Sequence, residues 1–428
     1  MHEPIERDAG GETQAEGSWF ARLGPGLVTG AADDDPAGIG TYTQAGAQFG
    51  FGLLWTLFIT YPLMAAIQLV SARMGRVTGK GLASNLREHF PAWLLYAAVS
   101  LLLIANTINI AADLAAMGDA ARLILGGPVP LYAAVFGITS LLLQMFVTYD
   151  RYARVLKWLT LALFAYVAVA FIVPVDWPAV ALDVVHPPLT LSAHWMTTVV
   201  AVLGTTISPY LFFWQAAQEV EEIRSHDGQA PLMRAPLQAP AQLRRINVDT
   251  WIGMAASNIV AFFIMLTAAA TLHAHHVDVK STADAASALR PIAGELAFAL
   301  FSLGIIGTGM LALPVLAGSA AYAAAGTFRW KNSLSLRIAV AKRFYAVIAV
   351  AILGGIGLTF GHLDPIKALY WSAVINGITA VPIMALVMYM ASSRKVMGRF
   401  PVGGALAWLG WLATGFMTVA AIGMLLPG

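Results

Sequence analysis

The sequence predicts an all-α integral membrane protein with about eleven transmembrane helices, and three observations support this class. Hydrophobic residues make up 58% of the 428 residues, and the mean hydropathy is +0.71. Only 11% of the residues are charged, whereas soluble domains contain about 25%. After Arg22, one apolar run follows another, each close to the roughly 20 residues that cross a bilayer. The composition therefore argues against a water-soluble fold.

The segments follow one another in a simple order. Residues 1–20 lack the basic start and apolar core of a signal peptide and are predicted to be a disordered cytoplasmic tail. Residues 21–180 are predicted to hold a first group of five helices, 190–391 a second group of five, and 400–428 one extra helix. The predicted spans are 24–46, 51–72, 93–117, 130–149, 157–175, 193–221, 249–272, 291–324, 343–361, 366–391 and 404–426.

Residues 224–245, between the sixth and seventh predicted spans, are rich in Pro, Gln and Ala and lack apolar periodicity. This composition predicts a flexible cytoplasmic linker.

The basic residues predict an orientation. Of the 25 Lys and Arg residues, 21 fall on one side of the eleven-span arrangement, and the other side holds only Arg122, Lys280, Arg290 and Lys367. Positive residues stay inside, so we expect a cytoplasmic N-terminus and an external C-terminus, in a bacterial inner membrane. The basic residues lie in short loops between the predicted spans, so the sequence gives no support to nucleic-acid binding. No obligate protein partner is evident. The absence of cysteine leaves oxygen and imidazole as metal ligands.

The first span is interrupted by polar residues. Asp33, Asp34 and Asp35 precede Pro36, and Gly38 follows closely. An acid at membrane depth costs several kcal/mol and normally faces a water-filled cavity or an ion path. Proline removes a backbone N–H and favours unwinding, which frees carbonyl oxygens that can join carboxylates around a cation. The pattern therefore favours a cation site.

The sixth span contains a second break, with hydroxyls in place of acids. Gly204, Thr205, Ser208, Pro209 and Tyr210 fall within seven consecutive residues. Two breaks that open corresponding halves of a ten-span core are typical of an inverted-repeat transporter.

Three further polar residues fall at membrane depth. Asn109 and Asp113 are four residues apart and share one helix face. An unpaired carboxylate at Asp113 would be expensive, which favours a functional role. Asn109 fits a hydrogen-bond network between helices equally well. Asn376, in the tenth span, either faces the ion path or packs against a neighbouring helix.

Several short motifs resemble the NRAMP family of divalent metal transporters over nearly the whole chain after residue 20. Asp35-Pro36-Ala37-Gly38 stands at the position of the family's DPGN motif, and Gln44-Ala45-Gly46 and Val77-Thr78-Gly79 also match. The resemblance implies a LeuT-like fold of two inverted five-helix repeats plus one helix. It also implies a divalent metal ion as the transported substrate, with no cofactor, and a role for Asp113 in proton movement.

The departures from the family pattern are informative. Ser208 replaces the family's methionine, Tyr210 its histidine, Gly38 the asparagine of DPGN, and Ala116 a glutamate of the third span. Carboxylate, hydroxyl and carbonyl ligands suit Mg²⁺, Ca²⁺ and Mn²⁺, whereas a thioether suits softer metals. The substitutions resemble the NRAMP-related branch that carries magnesium. Losing the histidine and the glutamate predicts weak or absent proton coupling.

The leading hypothesis is a secondary transporter that imports Mg²⁺ or Mn²⁺ by alternating access. The predicted ligands are Asp35, with Asp34 or Asp33 nearby, a carbonyl around Thr205, Ser208 and Asn376. Asp113, Tyr210 and Asn109 are predicted to lie behind these ligands or on a proton path.

The sequence leaves other functions open. The alternatives are an ordinary proton-coupled Mn²⁺/Fe²⁺ symporter, a sodium-coupled carrier of an organic solute, and a receptor or scaffold that has lost transport. Three adjacent aspartates argue against an anionic substrate. No nucleophile and base combination points to an enzyme.

Overall fold

The computed structural model describes residues 25–147, 162–190, 192–361 and 363–425. The predicted tail at 1–20 and residues 157–161 of the predicted fifth span lie outside these ranges. The helices are α1 Pro25–Asp33, α2 Pro36–Phe49, α3 Leu54–Thr78, α4 Leu82–His89, α5 Ala92–Leu125, α6 Val129–Phe146, α7 Phe164–Ile172, α8 Trp177–Val185, α9 Ala193–Thr206, α10 Pro209–Ser225, α11 Ala239–Thr271, α12 Thr282–Ser287, α13 Arg290–Ala293, α14 Ala297–Phe328, α15 Lys342–Thr359, α16 Pro365–Ser392, α17 Arg394–Met397 and α18 Gly404–Gly423. The described residues contain no β-strand.

Within these ranges, nine helical segments are long and apolar enough to cross a membrane. A tenth would be the pair α7 and α8, bent by 118°, if the two helices formed one span. One of the nine, 36–78, has 43 residues and combines α2 with α3. At 1.5 Å per residue it would be roughly 65 Å long, about twice the thickness of the hydrocarbon core. It is therefore too long to be a single straight span.

The chain reverses direction between α2 and α3. Gly50, which follows α2, has a φ of 56°, a left-handed conformation that interrupts the helix. The carbonyl of Ala47 accepts a hydrogen bond from His273, just beyond the end of α11. Further along α3, Arg73 donates to Asn247, near the start of α11. The two helices thus run in opposite directions along α11 and form separate spans.

The span count agrees with the sequence prediction. Once 36–78 is divided at Gly50, ten spans lie in the described parts of the chain, the first of them formed by α1 and α2 together. The helix α7 lies within the predicted fifth span, the first part of which falls outside the described residues; with that predicted span the total would be eleven. Large apolar side chains cover the outer surface, including Phe146, which is 76% exposed, and Val350, which is 70% exposed. An apolar exterior of this kind suits a hydrocarbon environment.

The two interrupted spans lie at the centre of the bundle. Both halves of the first span, α1 and α2, pack against α11. The first half of the sixth span, α9, packs against α16, which also contacts α2 and α5. The long helices α5 and α14 also pack against each other. Residues from α1, α2, α5, α9, α10, α11 and α16 can therefore meet in the interior.

The segment 224–245 differs from the flexible linker expected from its composition. The helix α10 continues to Ser225, and α11 already begins at Ala239. Between them, the backbone N–H groups of Leu232 and Met233 donate to the carbonyls of Arg76 and Val77, each at 3.2 Å. Leu232 is completely buried. The segment is docked because its backbone pairs with the end of α3, a contact that local composition does not encode.

One end of the bundle is called the N-terminal face below, because α1 begins there. The backbone N–H of Gly26 donates to Asp249, near the start of α11, at 2.6 Å. Arg245 forms an ion pair with Glu219 of α10 at 2.5 Å, and Arg76 of α3 donates to Gln229 at 2.8 Å. The start of α1 therefore lies on the same face as the end of α3, the end of α10 and the start of α11.

Candidate metal site

The break in the first span places Asp35 at the start of a helix. The helix α1 ends at Asp33, and α2 begins at Pro36. Asp35 is the N-cap of α2, and its Oδ1 accepts a hydrogen bond from the N–H of Gly38 at 2.7 Å. The positive end of a helix dipole stabilises a carboxylate at this position. Gly38, expected near the break, is the third residue of α2 and therefore lies within the helix.

The second carboxylate oxygen of Asp35 is held by two other helices. Its Oδ2 accepts from the hydroxyl of Tyr210, on α10, at 3.1 Å and from the amide of Asn109, on α5, at 3.2 Å. Asp35 is only 2% exposed, and both donors are completely buried. The carboxylate is consequently fixed in orientation by α2, α5 and α10 together.

Asn109, on the third span, connects Asp35 to Asp113 on the same helix and to Asn376 on the tenth span. Its Oδ1 accepts from the amide of Asn376, on α16, at 3.1 Å, and its amide lies 3.3 Å from Oδ2 of Asp113. Oδ1 of Asn376 and Oδ1 of Asp113 are buried and have no hydrogen-bond partner in the described part of the chain. Buried acceptors without partners are costly, so a cation or a water molecule would stabilise these oxygens.

The break in the sixth span lies beside the break in the first. The helix α9 ends at Thr206, and Pro209 is the first residue of α10. A Cβ placed on Gly38 would lie 3.2 Å from Oγ1 of Thr205, so the end of α9 meets the start of α2. The hydroxyl of Ser208 donates to the carbonyls of Gly204 at 2.7 Å and Thr205 at 3.0 Å. Ser208 thus retains acceptor capacity but uses its hydrogen within its own span.

Gly204 has a different role from the one expected of it. It lies inside α9 and not at the break. A Cβ on this residue would collide with the carbonyl oxygen of Ala373 and with the backbone of Gly377, both on α16. The absence of a side chain allows α9 and α16 to pack backbone to backbone, which brings Thr205 and Asn376 into the same region.

Asp33 and Asp34 face a different helix from Asp35. The hydroxyl of Ser257, on α11, lies 2.6 Å from Oδ2 of Asp33 and 3.0 Å from Oδ1 of Asp34. The sequence predicts both acids near Asp35, and both interact electrostatically with it, but their hydrogen bonds go to Ser257 of α11. Ser257 was not anticipated, because a single serine in an apolar helix gives no sequence signal. Oδ1 of Asp33 is buried without a partner in the described residues.

The interior thus contains four carboxyl groups without a basic partner. Asp33, Asp34, Asp35 and Asp113 are all at most 7% exposed, and none forms an ion pair within the described ranges. No group of three or more His, Asp or Glu side chains converges in those ranges as a metal cluster. A cation at this site would accordingly be held by a mixed set of carboxylate, amide, hydroxyl and carbonyl oxygens, the ligands that hard ions prefer.

A bundle with broken first and sixth spans, whose polar groups meet at the two breaks, defines a membrane transporter of the LeuT-like inverted-repeat class. The chain belongs to the Nramp family, because the family model described as "Natural resistance-associated macrophage protein-like" matches residues 26–427. The family resemblance predicted from the motifs is confirmed. The chain is a multi-pass membrane protein and not an enzyme.

Curated relatives match over most of their length. The chain is 26% identical over 425 residues to the divalent metal cation transporter MntH of Granulibacter bethesdensis, covering 95% of this chain and 89% of the relative. It is 27% identical over 427 residues to MntH of Acidiphilium cryptum, covering 95% and 92%.

Solved structures show the same fold. The manganese transporter of Eremococcus coleocola matches with a TM-score of 0.75 at 18% identity, covering 95% of this chain and 87% of that one. Mhp1, a transporter of the nucleobase-cation-symport-1 family, matches with a TM-score of 0.57 at 14% identity, covering 94% and 90%. At these identities the likeness concerns the fold alone.

Proposed function

We propose that this protein carries a divalent metal cation across the membrane by alternating access, with Asp35 as the principal ligand. The observation that carries the proposal is the buried Asp35 carboxylate at the helix break, oriented by Tyr210 and Asn109 and without a basic partner in the described chain. The names of the relatives, which are divalent metal cation and manganese transporters, support the same conclusion.

The further ligands are the oxygens closest to the two breaks. We propose the carbonyl or hydroxyl oxygen of Thr205, the hydroxyl of Ser208 and the free Oδ1 of Asn376. Asn109, Tyr210 and Asp113 hold these groups in position. Asp33 and Asp34 add negative charge from the side of α11, where Ser257 binds them.

All of these groups are oxygen ligands, which favours Mg²⁺ or Mn²⁺ over softer ions. Mg²⁺ keeps several of its waters and uses one or two carboxylates, which fits one well-oriented aspartate among neutral oxygens. Mn²⁺ accepts the same ligands, and the structural neighbour from Eremococcus coleocola is a manganese transporter.

Competition in proteoliposomes tests this preference. Uptake of Mn²⁺ by the wild-type chain should be inhibited by excess Mg²⁺ and only weakly by Cd²⁺, because Cd²⁺ gains most from sulfur ligands. In Ser208→Met, inhibition by Cd²⁺ should strengthen by about tenfold, or roughly 1.4 kcal/mol. The inhibition constants of Mg²⁺, Ca²⁺ and Cd²⁺ are the measurement. A wild-type chain that prefers Cd²⁺ strongly would refute the hard-ion site.

We further propose that proton coupling is weak or absent. Tyr210 occupies the position of the family's histidine, and its hydroxyl donates to Asp35. The side chain of Asn109 hydrogen-bonds to Asp113, which also interacts electrostatically with Asp35 of the proposed metal site. Ala116, one turn away on the same helix, offers no acid. A proton on Asp113 therefore has no titratable neighbour on this helix to which it could pass.

The inside-negative membrane potential would then drive uptake, at about 4.6 kcal/mol per 100 mV for a divalent ion. In liposomes loaded with a pH-sensitive dye, metal uptake should rise with an imposed potential while the internal pH stays constant. The matched control is a set of empty liposomes under the same gradient. A metal-dependent acidification close to one proton per ion would contradict the proposal.

We infer that the N-terminal face is cytoplasmic and that the C-terminus lies on the other side, since the number of spans is odd. Arg73, Arg76 and Arg245 meet on this face, as the positive-inside rule requires of cytoplasmic loops.

A further inference from the structure

A cavity of about 210 Å³ lies on the N-terminal face, away from the two helix breaks. Its walls come from the start of α4, the second half of α10 and the end of α14. We call it the Arg87 pocket. None of the proposed metal ligands lines it, so the Arg87 pocket is distinct from the site around Asp35.

The charged side chains that line the Arg87 pocket are mainly basic. Lys80, Arg87, Arg224 and Arg329 contribute four positive charges, and Glu221 contributes one negative charge. Glu88, which is not part of the lining, pairs with Lys80 at 2.6 Å and lies 3.9 Å from Arg87. The carboxylate of Glu221 is already engaged, since it accepts from Arg224 at 3.1 Å and from the hydroxyl of Ser333 at 2.6 Å. The lining therefore keeps a net positive charge, which disfavours a divalent cation and attracts an anion.

Two of the arginines keep donor capacity. Arg87 donates one guanidinium N–H to the carbonyl of Gly326, while its Nε is buried without a partner among the described residues. Arg329 forms no ion pair in the described ranges. Its backbone is in the left-handed conformation, with a φ of 57°. That conformation favours glycine, so the backbone at Arg329 is strained.

The helix α4 adds a further positive contribution. Its N-cap is Gly81, no side chain caps the helix, and Leu82, Ala83 and Ser84 line the Arg87 pocket. The first N–H groups of a helix lack partners within the helix and carry a partial positive charge. Backbone donors and guanidinium groups together are the usual means of binding a phosphate.

We propose that the Arg87 pocket binds a phosphate-bearing anion, either free phosphate or the phosphate of a lipid head group. Its volume is smaller than the roughly 300–1,000 Å³ of pockets that enclose drug-sized ligands. One phosphate group fits, and a nucleotide does not. The bound anion would connect α4, α10 and the end of α14.

The experiment measures binding without any metal. The delipidated full-length chain is titrated with inorganic phosphate by calorimetry, and the chain in nanodiscs is analysed by native mass spectrometry for retained phosphatidylglycerol and phosphatidylcholine. Arg87→Gln and Arg329→Gly remove one charge each, and glycine at 329 suits the left-handed backbone. Arg394→Gln, an exposed arginine outside the pocket, is the matched control.

We expect both pocket variants to weaken binding by about tenfold or more relative to Arg394→Gln, because each loses a charge-assisted hydrogen bond. An effect on the phosphate titration identifies a free anion, and an effect confined to retained phosphatidylglycerol identifies a lipid head group. If all variants match the wild type in both measurements, or if the wild type binds neither ligand, the proposal is wrong. Failure here would leave the metal-transport proposal untouched.

Discussion

Replacement of Asp35 by asparagine is expected to reduce metal uptake by at least about 100-fold, since even residues that only support a metal ligand cost 10–100-fold when lost. Asparagine caps a helix as well as aspartate does, so α2 should keep its start. When the oxygen of the new amide accepts from Gly38, its NH2 group faces the hydroxyl of Tyr210 and the amide of Asn109, which both lose their acceptor. The variant loses the negative charge that binds the cation while the fold remains.

Initial rates of Mn²⁺ uptake into proteoliposomes, with calorimetric titration of Mn²⁺, measure this effect. The matched control is Asp278→Asn, because the side chain of Asp278 is 79% exposed and its one ion pair among the described residues is with Lys280. Equal melting temperatures of the two variants would show that folding is unchanged. Uptake by Asp35→Asn within about threefold of the control would exclude Asp35 as the principal ligand, since a lost ligand should cost far more.

Replacement of Gly204 by alanine is expected to destabilise the protein by about 3 kcal/mol or more, the upper range for overpacking a core. The new Cβ would collide with the backbone of α16 at Ala373 and Gly377. To accommodate it, α9 and α16 must separate, which moves Thr205 away from Asn376. Transport should therefore be lost even in the molecules that remain folded, because small displacements of positioned groups are costly.

Gly357→Ala is the matched control for this prediction. Gly357 also lies in a transmembrane helix, α15, but a Cβ there would have no atom within 4 Å. Alanine at that position should be neutral or stabilising by up to about 1 kcal/mol, through helix propensity. Thermal unfolding in detergent and uptake assays compare the two variants. Identical melting temperatures and rates would show that α9 and α16 tolerate separation.

The sequence was sufficient to predict several features of the fold. The apolar runs determine the spans, and prolines at 36 and 209 locate the two breaks, since Pro36 and Pro209 each begin the second half of a span. Proline acts through its own ring and its missing N–H, and apolar runs act through direct transfer into lipid. These effects depend on residues that are close together in the sequence, so they can be predicted without a structure.

The same local rules failed where partners come from distant segments. Residues 224–245 looked like a linker, yet Leu232 and Met233 pair with the end of α3. Gly204 looked like part of the break, yet it serves the contact between α9 and α16. In both cases the deciding group lies far away in sequence, on a helix whose position depends on the packing of the whole bundle.

The three adjacent aspartates show most clearly which features the sequence determines and which depend on the tertiary structure. The sequence by itself determined that carboxylates lie at a break in the first span, and it identified Asn109, Asp113 and Asn376 as polar residues at membrane depth. Only the tertiary structure decided that Asp35 faces Tyr210 and Asn109, whereas Asp33 and Asp34 share Ser257 on α11. Asp34 and Asp35 lie in the break between α1 and α2, so no regular helix geometry determines where their side chains point. The helices packed around the break determine it instead.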